Sequence, residues 1–180
     1  MLSTEVDRLA ALNALDILDT NPEEIFDQVT ESIAKKLDVP IALISFVDKS
    51  RQWFKSIVGL DVDSTPRGIS FCTHAIEDSE IFVVEDATAD NRFKENPLVI
   101  GDPNIRFYAG APLSIRYRGK EHRVGTLCVI DRSARKLSQD QLDHLNRMAR
   151  KVVIQLNLRF AKQGYDSFVK KHSRTSRDLN

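Results

Sequence analysis

Residues 105–130, IRFYAGAPLSIRYRGKEHRVGTLCVI, hold two long alternating runs joined by a turn that contains Gly119. Alternation at period two sends successive side chains to opposite sides of a strand. Two such runs across a short turn make an antiparallel hairpin, and no other stretch of the chain joins two alternating runs this strongly. In the first strand, roughly 105–116, Arg106, Tyr108 and Gly110 share one face while Phe107, Ala109 and Ala111 share the other. In the second, roughly 122–130, Val124, Thr126, Cys128 and Ile130 oppose Gly125, Leu127 and Val129. Small residues on a strand allow close approach of another element or leave room for a ligand. The Arg106–Tyr108–Gly110 face is expected to floor a pocket, and the opposite face to seat a helix bearing Leu142, Leu145, Ala149 and Val152.

The remaining elements supply the layers around this hairpin. Val6, Leu9, Leu12 and Leu15 recur about every three residues and predict a helix over 4–18. Asn21-Pro22-Glu23-Glu24 reads as a helix start, with Asn21 as cap and Pro22 in the first turn. The helix that follows carries Phe26, Val29, Ile33 and Leu37 on one stripe and ends before Pro40. PIALISFVD (40–48) is an almost unbroken apolar run with β-branched residues, the mark of a central strand covered on both faces. RQWFKSIVGL (51–60) returns as a second strand, Ser70 caps a short helix over FCTHAIED, and EIFVVED (80–86) is a third strand. The loop between it and the hairpin is long for a plain connection, and such loops are often functional.

Ser138-Gln139-Asp140-Gln141 is a capping box that opens a last helix running to about residue 170. Leu142, Leu145, Ala149, Val152 and Leu156 form one seam along it. A second stripe, Ile154, Leu158, Ala161, Tyr165 and Phe168, lies on a different face. A single copy has no use for both, so a partner helix is expected on the second stripe. The alternative is that the N-terminal helix covers it within one chain. The expected division is an N-terminal helix over 1–20, a domain over 21–160, and a C-terminal helix extension with basic tail over 161–180.

The 42% hydrophobic content supports a core, so a disordered chain is excluded. Twenty-six basic residues balance twenty-six acidic ones, which argues against a nucleic-acid partner. No apolar stretch reaches the ~18 residues a membrane span requires, and the charged start MLSTEVDRLA does not fit a signal peptide, so a cytoplasmic location is expected. Two cysteines are too few for a disulfide scaffold, and no CxxC or paired-histidine spacing marks a metal site.

The strings LDILDTNPEEIFDQVT, PIALISFVDKSRQWFKS, TPRGISFCTHAI, DNRFKENPLV, IRFYAGAPL and GTLCVID, in this order over residues 5–160, resemble bacterial signalling GAF domains. Such domains are found in or beside sensor histidine kinases and diguanylate cyclases, or standing alone. The resemblance implies an α+β, GAF-like (PAS-related) fold: a central antiparallel sheet of five to six strands, with N- and C-terminal helices on one face. Short helices and a long loop would form a pocket on the other face. It implies a dimer through the terminal helices, in agreement with the second stripe. Without an output domain in the sequence, the chain is expected either to belong to a longer protein or to act on a separate signalling partner.

Candidate ligand-binding residues are Trp53, Phe71, Cys72, His74, Arg92, Phe93, Arg106 and Tyr108. Aromatic walls with one or two guanidiniums suit a small anion or heterocycle. Arg92 and Arg106 have a structural alternative, pairing with Asp86, Asp90 or Asp102 across the long loop. Cys72 opens a short helix, where a thiol pKa is lowered, yet a small buried hydrophobe is the expected role; Cys128, in an alternating strand, reads as core. Bilin-binding GAF domains attach a tetrapyrrole to a cysteine next to a histidine, whereas Thr73 separates Cys72 from His74 here. Asn91-Arg92-Phe93-Lys94-Glu95 departs from the NKFDE pattern of cyclic-nucleotide-binding members in spacing and lacks its acidic pair. No cofactor is therefore expected. GAF-type free methionine sulfoxide reductases use several cysteines in other contexts. The expectation is a non-catalytic regulatory module that binds a small molecule and relays a signal through its terminal helices. A GAF-derived redox enzyme using Cys72 and a purely structural dimerisation domain are the alternatives.

Overall fold

The computed structural model describes residues 4–175, with side chains through residue 165. Its first helix, α1 (Glu5–Ala14), is capped by Thr4, whose hydroxyl accepts from the Asp7 amide at 3.2 Å. The helix is shorter than the expected 4–18, because the chain turns through positive φ at Asp16 and Asp19. Its buried side is Arg8, Ala11 and Leu12, whereas Val6, expected on the apolar stripe, is 77% exposed. Leu15 and Ile17 are buried from the connecting turn instead.

Helix α2 (Glu24–Leu37) buries Phe26, Val29, Ile33 and Leu37 as their spacing predicts. It starts later than the sequence implied: Glu23 takes the cap position and makes no side-chain cap bond. The polar groups of the expected start are engaged elsewhere. Lys55 Nζ donates to the Asn21 carbonyl at 2.5 Å and approaches Glu23 Oε1 at 2.7 Å. Asp38, in the left-handed conformation that an aspartate tolerates, ends the helix.

The six-stranded sheet is antiparallel throughout, in the order β3-β2-β1-β6-β5-β4. Its strands are β1 (Ile41–Val47), β2 (Arg51–Val58), β3 (Ser64–Pro66), β4 (Phe82–Val84), β5 (Phe107–Tyr117) and β6 (Lys120–Asp131). β1 is central and buried along its whole length, which explains its unbroken apolar sequence. β3 lies in the DVDSTPRG segment, which the sequence showed only as a break in the pattern. At residue 125 a side chain would meet the Ser45 carbonyl oxygen at 2.0 Å, so Gly125 permits β1 and β6 to pair.

Helices α1, α2 and α5 (Gln139–Thr175) cover one face of the sheet. The Ser138–Gln141 capping box is present in both directions: Gln141 N to Ser138 Oγ at 3.3 Å and Ser138 N to Gln141 Oε1 at 2.9 Å. Leu145, Ala149, Val152 and Leu156 are buried against Phe107, Ala109, Ala111, Leu127 and Val129, with Leu142 half-buried at the edge. The expected assignment of hairpin faces is therefore observed, with one exception. A bulge between Leu113 and Ser114 shifts the register and turns Val124 to the helix side, away from Thr126, Cys128 and Ile130.

The second stripe is open in the single chain: Ile154, Leu158 and Tyr165 are 56%, 59% and 68% exposed, and Ala161 is exposed beside them. Helix α1 leaves it uncovered, and the residue that follows α1 is held by another part of α5, as Arg159 and Gln163 donate to the Leu15 carbonyl at 3.2 and 3.0 Å. The side chain of Phe168 lies outside the described residues, as do those of the basic tail.

Candidate functional site

The other sheet face carries a second apolar cluster, built from alternate residues of β1, β2, β5 and β6. Ile41, Leu43, Phe54, Tyr108, Cys128 and Ile130 face two short helices, α3 (Phe71–Ala75) and α4 (Pro97–Ile100). Ser70 caps α3 as its sequence predicts, its hydroxyl accepting from the Thr73 amide at 3.2 Å and donating to Gln52 Oε1. Asn96 caps α4 and donates to the Ile69 carbonyl at 3.0 Å, which ties α4 to the turn just before α3. Arg123 holds the far end of α3 through the Ile76 and Glu77 carbonyls.

Between these elements lies a cavity of about 120 Å³, lined on its inner side by Leu43, Phe54, Phe71, Cys72, Tyr108 and Ile130. The rest of its lining is exposed Val62 and Asp102, half-buried Leu60 and Leu98, and buried Pro103 and Ile105, with Gln52 and Thr65 paired on one wall. Polar groups are few and the walls are mostly apolar.

The eight sequence candidates separate into five groups. Phe71, Cys72 and Tyr108 line the cavity. Phe93 lies behind Phe71, stacked at 4.0 Å between ring centroids. His74 and Arg92 belong to an outer cap: His74 packs edge-on to Phe93 and stacks on Phe82, and the Arg92 guanidinium sits 4.9 Å from the Phe82 centroid. Arg92 is tied to Asp90 by Nη2–Oδ2 at 2.6 Å, the structural pairing foreseen as its alternative. Arg106 donates to the Val99 and Ile105 carbonyls and fastens α4 to β5. Neither guanidinium enters the cavity, so its lining does not match the anion site that the two arginines suggested.

Trp53 is on the wrong face. It packs in the helix-side core, 6.4 Å from Phe46 between ring centroids, because adjacent residues of β2 point oppositely and Phe54 takes the cavity side. A bulge between Ile44 and Ser45 then puts both Lys55 and Ser56 on the helix side, where they meet Glu23 and Thr30.

Below the cavity lies a cluster that sequence reasoning did not assemble. Three hydroxyls converge on Cys72 Sγ: Thr126 at 3.0 Å, Ser45 at 3.2 Å and Tyr108 at 3.2 Å. Cys128 Sγ is 3.8 Å away, and both cysteines are free thiols. Gly110 makes this arrangement possible, since a side chain there would meet the Tyr108 hydroxyl at 2.2 Å. Burial opposes ionisation of Cys72, but hydrogen bonds from Cys128, Ser45, Thr126 and Tyr108 more than offset it and lower the thiol to about 7. Burial, reinforced by the neighbouring Cys72, pushes Cys128 well up, and burial with both sulfurs does the same to Tyr108. The available signal was positional: Ser45, Thr126, Cys128 and Tyr108 all occupy the same face under period-two alternation.

A family model of the GAF domain matches residues 21–156. The chain is 42% identical over 154 residues to a cyclic di-GMP phosphodiesterase of Pseudomonas aeruginosa, covering 85% of this chain and 26% of that protein. It thus spans about a quarter of that curated relative. Among solved structures, the GAF domain of an Acinetobacter phosphoenolpyruvate-protein phosphotransferase is similar, with a TM-score of 0.60, 19% identity, and coverage of 89% of this chain and 97% of that one. A free methionine-R-sulfoxide reductase of Neisseria meningitidis has a TM-score of 0.59 at 13% identity, covering 91% and 96%. At such identities the structural likeness shows the fold alone. No helix among the described residues is long and apolar enough to cross a membrane.

Proposed function

Because the chain belongs to the GAF domain family, we propose that it is a regulatory module whose cavity takes a small, mostly apolar molecule and whose terminal helices carry the response. The observation that carries this reading is the cavity between the sheet, α3 and α4. At about 120 Å³ it offers space for roughly ten water-sized groups, taking ~10–15 Å³ for each. A bilin, a cyclic nucleotide or cyclic di-GMP is larger than this cavity, and the proposed occupant has about ten non-hydrogen atoms. Apolar walls with Gln52 and Thr65 at one side suit a small ring bearing one hydrogen-bonding group.

A route to the helices begins at β2. Phe54 lines the cavity and its neighbour Lys55 lies on the opposite face, bound to Glu23, which also holds Arg159 of α5 at 2.9 Å. A ligand that favours one position of Phe54 thereby favours one placement of α5, provided it binds the two arrangements unequally. The open stripe of Ile154, Leu158, Ala161 and Tyr165 supports a second copy as the partner of α5. The output would be an attached or separate signalling enzyme, of which cyclic di-GMP turnover in the Pseudomonas relative is one instance.

Mass spectrometry of small molecules retained by natively purified protein tests the first step; retention that Phe71→Trp abolishes is expected. Spin-label distances between α5 helices, measured with and without the retained molecule, test the relay. Identical distances would refute it, and a monomeric mass by light scattering at micromolar concentration would refute the dimer.

A further inference from the structure

We propose that Cys72 and Cys128 are a peroxide-reactive dithiol that closes to an intramolecular disulfide, with the cavity as the path of the oxidant. The two sulfurs come from different elements, α3 and β6, and already lie 3.8 Å apart. Reaching the ~2.05 Å of an S–S bond requires a movement of under 2 Å. The cavity wall includes Cys72 but not Cys128, which sets their order of reaction. Hydrogen peroxide has two heavy atoms and fits a space that accommodates several waters.

The surroundings also distinguish the two roles. The hydroxyls of Thr126, Ser45 and Tyr108 donate to Cys72 Sγ, and such donors stabilise the thiolate, the nucleophilic form. In the first step the Cys72 thiolate attacks one peroxide oxygen and the O–O bond breaks. Cys72 becomes a sulfenic acid, and the departing hydroxide takes up a proton as water. In the second step Cys128 loses its proton and attacks Cys72 Sγ, so the S–S bond forms as the S–O bond breaks. The hydroxide leaves with the Cys128 proton as a second water. Overall, two thiols and one hydrogen peroxide give one disulfide and two waters, two electrons passing from sulfur to oxygen. The reaction requires neither a retained ligand nor an α5 partner, so it stands or falls apart from the proposed regulatory role. Its product would tie α3 to β6 directly beneath the cavity.

The test treats the reduced, desalted full chain with a slight excess of hydrogen peroxide at neutral pH, followed by intact mass and thiol titration in denaturant. Expected are loss of both thiols, a mass lower by two hydrogens, a peptide linking Cys72 to Cys128, and reversal by dithiothreitol. Cys128→Ser is expected to stop at a Cys72 sulfenic acid that dimedone traps. Tyr108→Phe keeps the ring packing and removes one donor; oxidation roughly three- to tenfold slower is expected. Persistence of both thiols, an interchain disulfide, conversion to sulfinic acid without a disulfide, or an unchanged rate in Tyr108→Phe would each overturn the proposal.

Discussion

Lys55 and Glu23 offer an asymmetric test of how the sheet is fastened to its helices. The Lys55 side chain is fully buried, with its ammonium held by Thr20 Oγ1 at 2.8 Å, the Asn21 carbonyl and Glu23 Oε1, 5.6 Å from the Phe26 ring centroid. The Glu23 side chain is 38% exposed, and its carboxylate is shared with Arg159. Burial disfavours its charge, but Lys55 and Arg159 outweigh this and lower its pKa. Glu23→Gln removes the counter-charge and leaves a desolvated ammonium with neutral acceptors. Removing one partner of a fully buried pair costs about 3–5 kcal/mol, and an exposed pair is worth about 0.2–1 kcal/mol. With one partner enclosed and the other partly open, about 2 kcal/mol is expected, a fall in Tm of about 4–8 °C.

Lys55→Met removes the cost of burying the charge. Its stem is expected to keep packing near Phe26 while water serves the loop acceptors, for a change of about 0–1 kcal/mol. The double variant should match Lys55→Met, because most of the Glu23→Gln cost arises only while the ammonium is present. Trp53, the single tryptophan, is 6% exposed in the same layer and reports the urea transition by fluorescence. If Lys55→Met costs more than Glu23→Gln, the ammonium is a net stabiliser and this reasoning is wrong.

Leu145→Ala should cost about 3 kcal/mol, since that side chain is fully buried. Leu158→Ala, on the exposed stripe, should change the urea midpoint of dilute protein by under about 0.5 kcal/mol. Glu5 accepts from Arg8 and Arg67, and chiefly the Arg8 bonds lower its pKa from 4.5 to about 2. A carboxylate whose folded pKa is depressed contributes its full stability above the unfolded value and loses it as pH falls through the folded one. Glu5→Gln should therefore flatten the pH dependence of the urea midpoint between those two values. Gly125→Ala forces a carbon against the Ser45 carbonyl and should cost more than about 3 kcal/mol, whereas Gly68→Ala meets nothing within 4 Å and should be neutral or slightly stabilising.

The layer order was legible because period-two and helical stripes are local patterns: the Phe107–Ala109–Ala111 face and the Leu145–Val152 seam meet as their spacing implies. Bulges were not legible, since an extra residue leaves no compositional mark, and both Val124 and the Lys55–Ser56 pair were displaced by one. The site was harder to see for another reason. Chemical type drew Trp53, Arg92 and Arg106 into the candidate set, although their side chains pack elsewhere. Ser45 and Thr126 look like ordinary strand residues until β1 and β6 pair them in register. The hydroxyl–thiol cluster depends on contacts between residues as much as 81 positions apart.

Helix α5 is a single span from Gln139 to Thr175; among its described side chains the last fully buried is Leu156, and beyond it Arg159 and Gln163 still bond to the Leu15 carbonyl. From Gln163 to its end the helix runs on for about 18 Å at ~1.5 Å per residue. In the proposed relay this length would act as a lever whose fulcrum lies at the Leu15 carbonyl. A tilt of about 5° at Gln163 would swing the far end by about 1.5 Å, the scale on which packed helices shift between states.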